Sequence, residues 1–459
     1  MNILILVFAS LICGAVIWLQ PSLGPGAMTI CALVSLPTFI LLLRSKDDRD
    51  FLLRLFILAI LVRVILATVI YLGGMEEFFG GDATTYDIFG KSLLQSWHGD
   101  EYHAGRYAGF IKSGAGAWGM LYVVAGVYEL IGENRFAIQL LNASVGATTA
   151  VVVYYVGQIL FNNIRVSRWA AILVAFFPSL ILWSSQALKD GLIILALALA
   201  MYATLRLMDK ITFGYVVVLT GCLLAMLSLR FYIFYMMVAA VAGSFFLGMK
   251  TMNVQNFVQR FIAVAVIGLA FTWFGVLRYA GLQFERYGNL QAIQISRIDQ
   301  ANAGSGFGKD VDVGTTEGAI TAIPVGLVYL LFAPFPWNMA TVRQTITLPE
   351  MVLWWAAFPL LVLGLWYALR FRLRQVAPIV IFTTMLTLAY SVFQGNVGTA
   401  YRQRSQLLVF YFIFVAVGAV LLKERAEDKR RQQQLAKQEL AELQAARLAA
   451  RRQSMHPQT

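Results

Sequence analysis

The feature that most constrains this chain is the recurrence, over almost its whole length, of apolar runs about as long as a bilayer's hydrocarbon is thick. A membrane-crossing helix needs roughly 20 such residues. Runs of that kind fall at 2–20, 27–43, 51–73, 137–160, 169–186, 190–208, 213–230, 232–249, 261–277, 350–369, 376–393 and 406–422. Charged residues make up only 13% of the chain and hydrophobic ones 59%, whereas a soluble domain carries about 25% charge to cover its surface. The pattern predicts an all-α, polytopic transmembrane helical protein of about twelve spans. Soluble enzymes and secreted disulfide scaffolds are excluded. Cys13, Cys31 and Cys222 all lie inside apolar runs, where a thiol acts as a small hydrophobe.

The net charge of +12 is spread over short links and a basic tail, which reads as a topology signal and implies no nucleic acid partner. Arg44, Lys46, Arg49 and Arg54, then Arg165 and Arg168, Arg206 and Lys210, Lys250 and Arg260, and Arg370, Arg372 and Arg374 share one side only if the apolar stretches 114–131 and 318–336 do not cross. Those two then become re-entrant or interfacial segments on the outer side, and both termini are cytoplasmic, as expected of a bacterial inner (plasma) membrane protein. Met1–Gln20 has no basic leader and a second apolar run follows at once, so it is expected as a span and not a cleaved signal. The chain divides into a membrane domain, 1–422, with outer loops at 74–113 and 278–349, and a basic cytoplasmic tail, 423–459, whose helix would lie near anionic membrane lipids.

Outward polar groups are few and therefore informative. The first outer loop contains Gly80, Gly81, Asp82, Ala83, Thr84, Thr85 and Tyr86, and then an amphipathic stretch expected to lie in the interface. Asp82 reads as a helix cap after a glycine turn, as a general base facing a cavity, or as both; Asp87 reads as a solvated face residue. Lys189 and Asp190 open a span, where an acid is favoured by the helix dipole and a cation beside it offers an anion site. Arg230, Arg402 and Arg404 flank spans, either snorkelling to the interface or binding phosphate. The loop 278–317, with Arg297 and a Gly-Ser-Gly-Phe-Gly run at 304–308, is a flexible lid or a plain disordered loop, and its Asp310 and Asp312 are too weak a pattern to assign a metal. No phosphate-cradling glycine loop or histidine cluster is present.

Taken together, Gly81-Asp82-Ala83-Thr84-Thr85-Tyr86, Asn134-Arg135-Phe136-Ala137, Pro178 ahead of Lys189-Asp190, and the late Arg402/Arg404 pair resemble the GT-C class of polytopic glycosyltransferases. That class includes the protein mannosyltransferases, the aminoarabinose transferases of lipid A and many bacterial cell-envelope enzymes. The resemblance spans roughly 70–420. It implies a sugar donor linked to polyprenyl phosphate and an envelope glycan, lipid or protein acceptor on the outer face. No cofactor is implied. Asp82 would be the base, and Lys189, Asp190, Arg230, Arg402, Arg404 and Tyr86 would bind substrate. Many relatives have a second acid after the loop Asp where this chain has Ala83, so a metal-binding pair is not expected there. The rival readings are an O-antigen polymerase or ligase, in which the late outer loop is essential and the Asp82 loop dispensable, and a lipid or glycan transporter, which would show repeated halves.

Overall fold

A computed structural model describes residues 3–79, 81–112, 118–247, 268–269, 271–273, 281, 288–339 and 341–455. The described residues form helices and no strand. In chain order they are α1 (Ile3–Leu19), α2 (Gly24–Arg44), α3 (Arg49–Leu72), α4 (Glu76–Phe79), α5 (Asp82–Trp97), α6 (Glu101–Lys112), α7 (Trp118–Ile131), α8 (Arg135–Phe161), α9 (Ile164–Phe176), α10 (Pro178–Trp183), α11 (Asp190–Asp209), α12 (Phe213–Leu229) and α13 (Phe231–Leu247). They continue with α14 (Leu290–Ala301), α15 (Thr316–Phe332), α16 (Val342–Phe371), α17 (Leu373–Phe393) and α18 (Val397–Met455).

Seven of these, α2, α3, α8, α11, α16, α17 and α18, are long and apolar enough to cross a membrane. The expected spans 2–20, 213–230 and 232–249 fall on α1, α12 and α13, of 17 residues each as described, with residues 2 and 248–249 outside the described residues. The expected span 169–186 is not one helix. Pro178 has no N–H to continue the ladder, so α9 stops at Phe176 and α10 starts afresh. The expected span 261–277 and the basic link Lys250/Arg260 lie outside the described residues, apart from short helical pieces at 268–269 and 271–273. At the other end, the last span does not stop at the membrane: α18 runs unbroken for 59 residues into the tail.

The centre of the molecule is α8, almost wholly buried and packed by α2, α3, α9 and α11. A second layer is made by α16 against α18, where Gly364 and Gly418 let the backbones approach. A Cβ on Gly364 would stand 1.9 Å from the Phe414 carbonyl oxygen, and one on Gly418 2.1 Å from that of Leu360, a small-residue contact suited to helices that gain nothing from hydrophobic burial in lipid. The amphipathic α5 lies against α6 and α7. These layers bring the starts of α5, α11 and α18 and the α12–α13 junction to one place.

Candidate functional site

Each helix start delivers a charged group. Gly81 stands at the N-cap of α5 and Asp82 is its first residue. The Asp82 Oδ2 accepts from Arg402 Nη1 at 2.8 Å, and half of the side chain is exposed. The cap position read for Asp82 is thus held by Gly81.

Asp190, at the first turn of α11, is fully buried. Its Oδ2 accepts from both Nε (2.8 Å) and Nη2 (2.5 Å) of Arg402, a side-on pairing that uses the planar fork of a guanidinium. Its other oxygen faces Arg230 Nη2 at 3.7 Å. Arg402 thus bridges two carboxylates, and its guanidinium lies 5.7 Å from the Trp183 ring centroid. Arg230 caps α12, stands 5.8 Å from the Tyr232 ring, and leaves Nη1 buried without a hydrogen-bond partner.

Three residues expected in the binding set sit elsewhere. Tyr86 is buried beneath the cluster, with Lys189 Nζ 5.9 Å above its ring; neither lines the cleft. Burial, with the Arg230 guanidinium adding to it and Asp190 and Asp82 opposing, pushes the Lys189 ammonium down to about 7. Arg404 points away. Residues two apart on a helix occupy opposite faces, so while Arg402 meets Asp190, Arg404 is buried in the wall, donating to the Leu331 carbonyl at 2.8 Å and facing Met351 Sδ.

The cluster opens on a cleft of about 600 Å³. Asp82, Trp183, Arg230 and Arg402 line it together with Gln300, Ser305, Arg343, Tyr401 and Gln403. The described part of the late loop is paired with the segment before α18. Phe307 N donates to Gly395 O and Val397 N to Ser305 O, at 2.8 and 2.9 Å. Buried Arg297 ties α14 to the Gln394 and Val311 carbonyls, each at 3.3 Å. Residues 303–305 of the loop form one wall of the cleft.

Asp312 closes a local turn by accepting from Gly314 N. Among the described residues, no three His, Cys, Asp or Glu side chains are placed to hold a metal. Asp87 is not a plain surface acid, since Tyr128 donates to it at 2.5 Å. Sequence reading missed two further buried groups. Glu350 accepts from the cleft residue Tyr401 at 2.5 Å, and Arg63 is an arginine in the middle of α3. The signal for Arg63 was present, because a charge in mid-span is rarely idle.

Among curated proteins, no relative matches the chain. Residues 117–277 match the family described as dolichyl-phosphate-mannose-protein mannosyltransferase, a stretch that holds Pro178, Lys189, Asp190 and Arg230 and leaves Asp82 and Arg402 outside. That family is of the GT-C type, membrane glycosyltransferases using lipid-linked sugar donors, the class that the sequence resembles, and the match covers well under half of the chain. The apolar helices support an integral membrane protein.

Proposed function

We propose that the protein transfers a sugar from a polyprenyl-phosphate donor to an acceptor hydroxyl on the outer face of the membrane, with Asp82 as general base. The observation that carries this reading is the bridge from Asp82 through Arg402 to Asp190, open to a cleft on the Asp82 side and closed on the other. Of the two carboxylates only Asp82 reaches the cleft. Asp190 positions Arg402.

The chemistry follows from the geometry. The acceptor O–H gives its proton to Asp82 as its oxygen bonds to the anomeric carbon, while the bond from that carbon to the phosphate oxygen breaks and its electron pair leaves with the polyprenyl phosphate. Arg402 and Arg230 supply charge-assisted hydrogen bonds to that phosphate. When Asp82 takes the proton it loses its negative charge, and Arg402 Nη1 is released towards the leaving group. A single displacement inverts the anomeric centre. The donor bond itself provides the driving force, so no nucleotide site is needed.

The test is a panel of short-chain polyprenyl-phosphate hexoses and pentoses, given to the purified full chain with a crude envelope extract as acceptor. Release of polyprenyl phosphate that depends on Asp82 is expected. Failure to turn over any donor, with protein that is folded by thermal melting, overturns the reading.

A further inference from the structure

The break between α9 and α10 leaves a debt that a distant side chain settles. With no N–H on Pro178, the Val174 carbonyl loses its helical partner, and the restart of the chain strands that of Ala175 as well. Arg63, in the middle of α3 and 1% exposed, fills both: Nη1 donates to Ala175 O at 2.7 Å and Nη2 to Val174 O at 3.3 Å. The remaining edge of the same guanidinium turns to the next segment, where Nε donates to Ser184 Oγ at 2.8 Å.

Ser184 begins the link 184–189, which ends at Asp190. That link is gripped a second time from α8. Asn142 Nδ2 donates to the Gln186 and Leu188 carbonyls, both at 2.7 Å. One helical turn on, Gly146 makes room for the first grip, since a Cβ there would stand 2.6 Å from Arg63 Nε and 2.5 Å from Ser184 Oγ. A buried arginine that makes no ion pair among the described residues is costly in a membrane unless its hydrogen bonds are needed. Here they reach the one segment that delivers Asp190 to Arg402.

We infer that Arg63 is a positioning residue for sugar transfer, clamping the proline-broken α9–α10 junction to the 184–189 link so that Asp190 holds Arg402 against Asp82. This rests on the proposed transferase reading for its functional half and on the hydrogen-bond geometry alone for its structural half. The clamp acts through a guanidinium fork, which an ammonium on a flexible stem does not reproduce.

The experiment uses the full chain in lipid nanodiscs as wild type, Arg63→Lys, Ser184→Ala, Arg402→Lys and the Arg63→Lys/Arg402→Lys double variant. Hydrogen exchange is read on the peptide covering 184–190 and on α8 as a control. Transfer is read with the best donor of the short-chain panel. In Arg63→Lys and, more weakly, Ser184→Ala, exchange at 184–190 should quicken at least tenfold while α8 is unchanged. In Arg63→Lys the kcat should fall at least tenfold with donor KM changed less than threefold. That kcat loss should vanish in the Arg402→Lys background, because both substitutions act on one unit. Unchanged exchange at 184–190, or a kcat loss that multiplies with that of Arg402→Lys, overturns the inference. If wild type turns over no donor, the transferase reading fails, and the exchange of 184–190 still decides on the clamp.

Discussion

Replacing Asp82 by Asn separates chemistry from structure. Among the described residues the carboxylate makes one ion pair, with Arg402, and is half exposed; an ion pair of that exposure contributes about 1 kcal/mol or less. No helix cap is lost, because the N-cap of α5 is Gly81. Arg402 keeps both of its bonds to buried Asp190, so no buried charge is orphaned. The folded protein should therefore melt within a few degrees of wild type. Transfer should behave otherwise. An amide of the same shape cannot accept the acceptor's proton, and loss of a general base costs about 10² to 10⁴ in rate, or about 3 to 5 kcal/mol of barrier at 1.36 kcal/mol per tenfold. The assay is single-turnover release of polyprenyl phosphate, with donor binding followed separately. A well-folded Asp82→Asn that keeps more than a third of wild-type turnover removes Asp82 from the mechanism. Asp190 would then be the other acid of the cluster to test.

Three further outcomes follow from the same geometry. Arg402→Lys replaces a fork that reaches Asp82 and Asp190 at once with a point charge; losing one charged hydrogen bond, about 1.5 to 3 kcal/mol, should lower kcat by about 10 to 150-fold, and a variant within threefold of wild type contradicts the bridging role. Lys189, pushed down to about 7 in the fold from an ordinary value of 10.5, binds fewer protons folded than unfolded between those values, so wild type should gain stability relative to Lys189→Met as pH rises from 7 to 9; melting curves whose difference is flat across that range refute the burial argument. Topology is checked by thiol labelling of Lys210→Cys and Asn302→Cys, both exposed positions, in a background without native cysteines; they should label from opposite sides of sealed membranes, and same-side labelling refutes the assignment of loops.

The helices were legible because their apolar content is local, and the identity of the charged cluster because charges beside spans are scarce. What sequence could not supply was direction. Arg402 and Arg404 look equivalent in Tyr401-Arg402-Gln403-Arg404, yet the helical twist turns one to the cleft and buries the other in the wall. Lys189 and Asp190 are neighbours, but only Asp190 meets Arg402, while Lys189 lies over Tyr86. The wall formed by 303–305 depends on pairing with 395–397, a contact some ninety residues long-range that no local pattern announces. Arg63 was visible as a mid-span charge, but its meaning depends on Pro178 more than a hundred residues away. The expected span over 169–186 is broken into two helices at that same proline, where a run read for hydropathy alone hides a missing N–H.

Charge balance at the cluster offers a test between the transferase reading and the polymerase or ligase rival, which works on a lipid diphosphate. Asp82 and Asp190 oppose Arg402 and Arg230, so the cluster is close to neutral, with at most one further positive charge from buried Lys189, which is only partly protonated at pH 7; Arg343, exposed at the rim beside Phe78, is screened by solvent. At most one surplus positive charge is thus available to a sugar phosphodiester, which carries one negative charge. A diphosphate brings a second, unopposed in a site whose acid end is buried, and like charge in such surroundings is costly. As transfer proceeds the match is kept, because Asp82 is neutralised by the acceptor's proton while the leaving phosphate acquires its extra charge. Polyprenyl phosphate should therefore compete with donor at least as well as polyprenyl diphosphate of equal chain length, measured as inhibition of transfer at pH 7. Competition more than tenfold stronger by the diphosphate would show that the cluster carries more positive charge than this balance allows, and would favour the lipid-diphosphate enzyme.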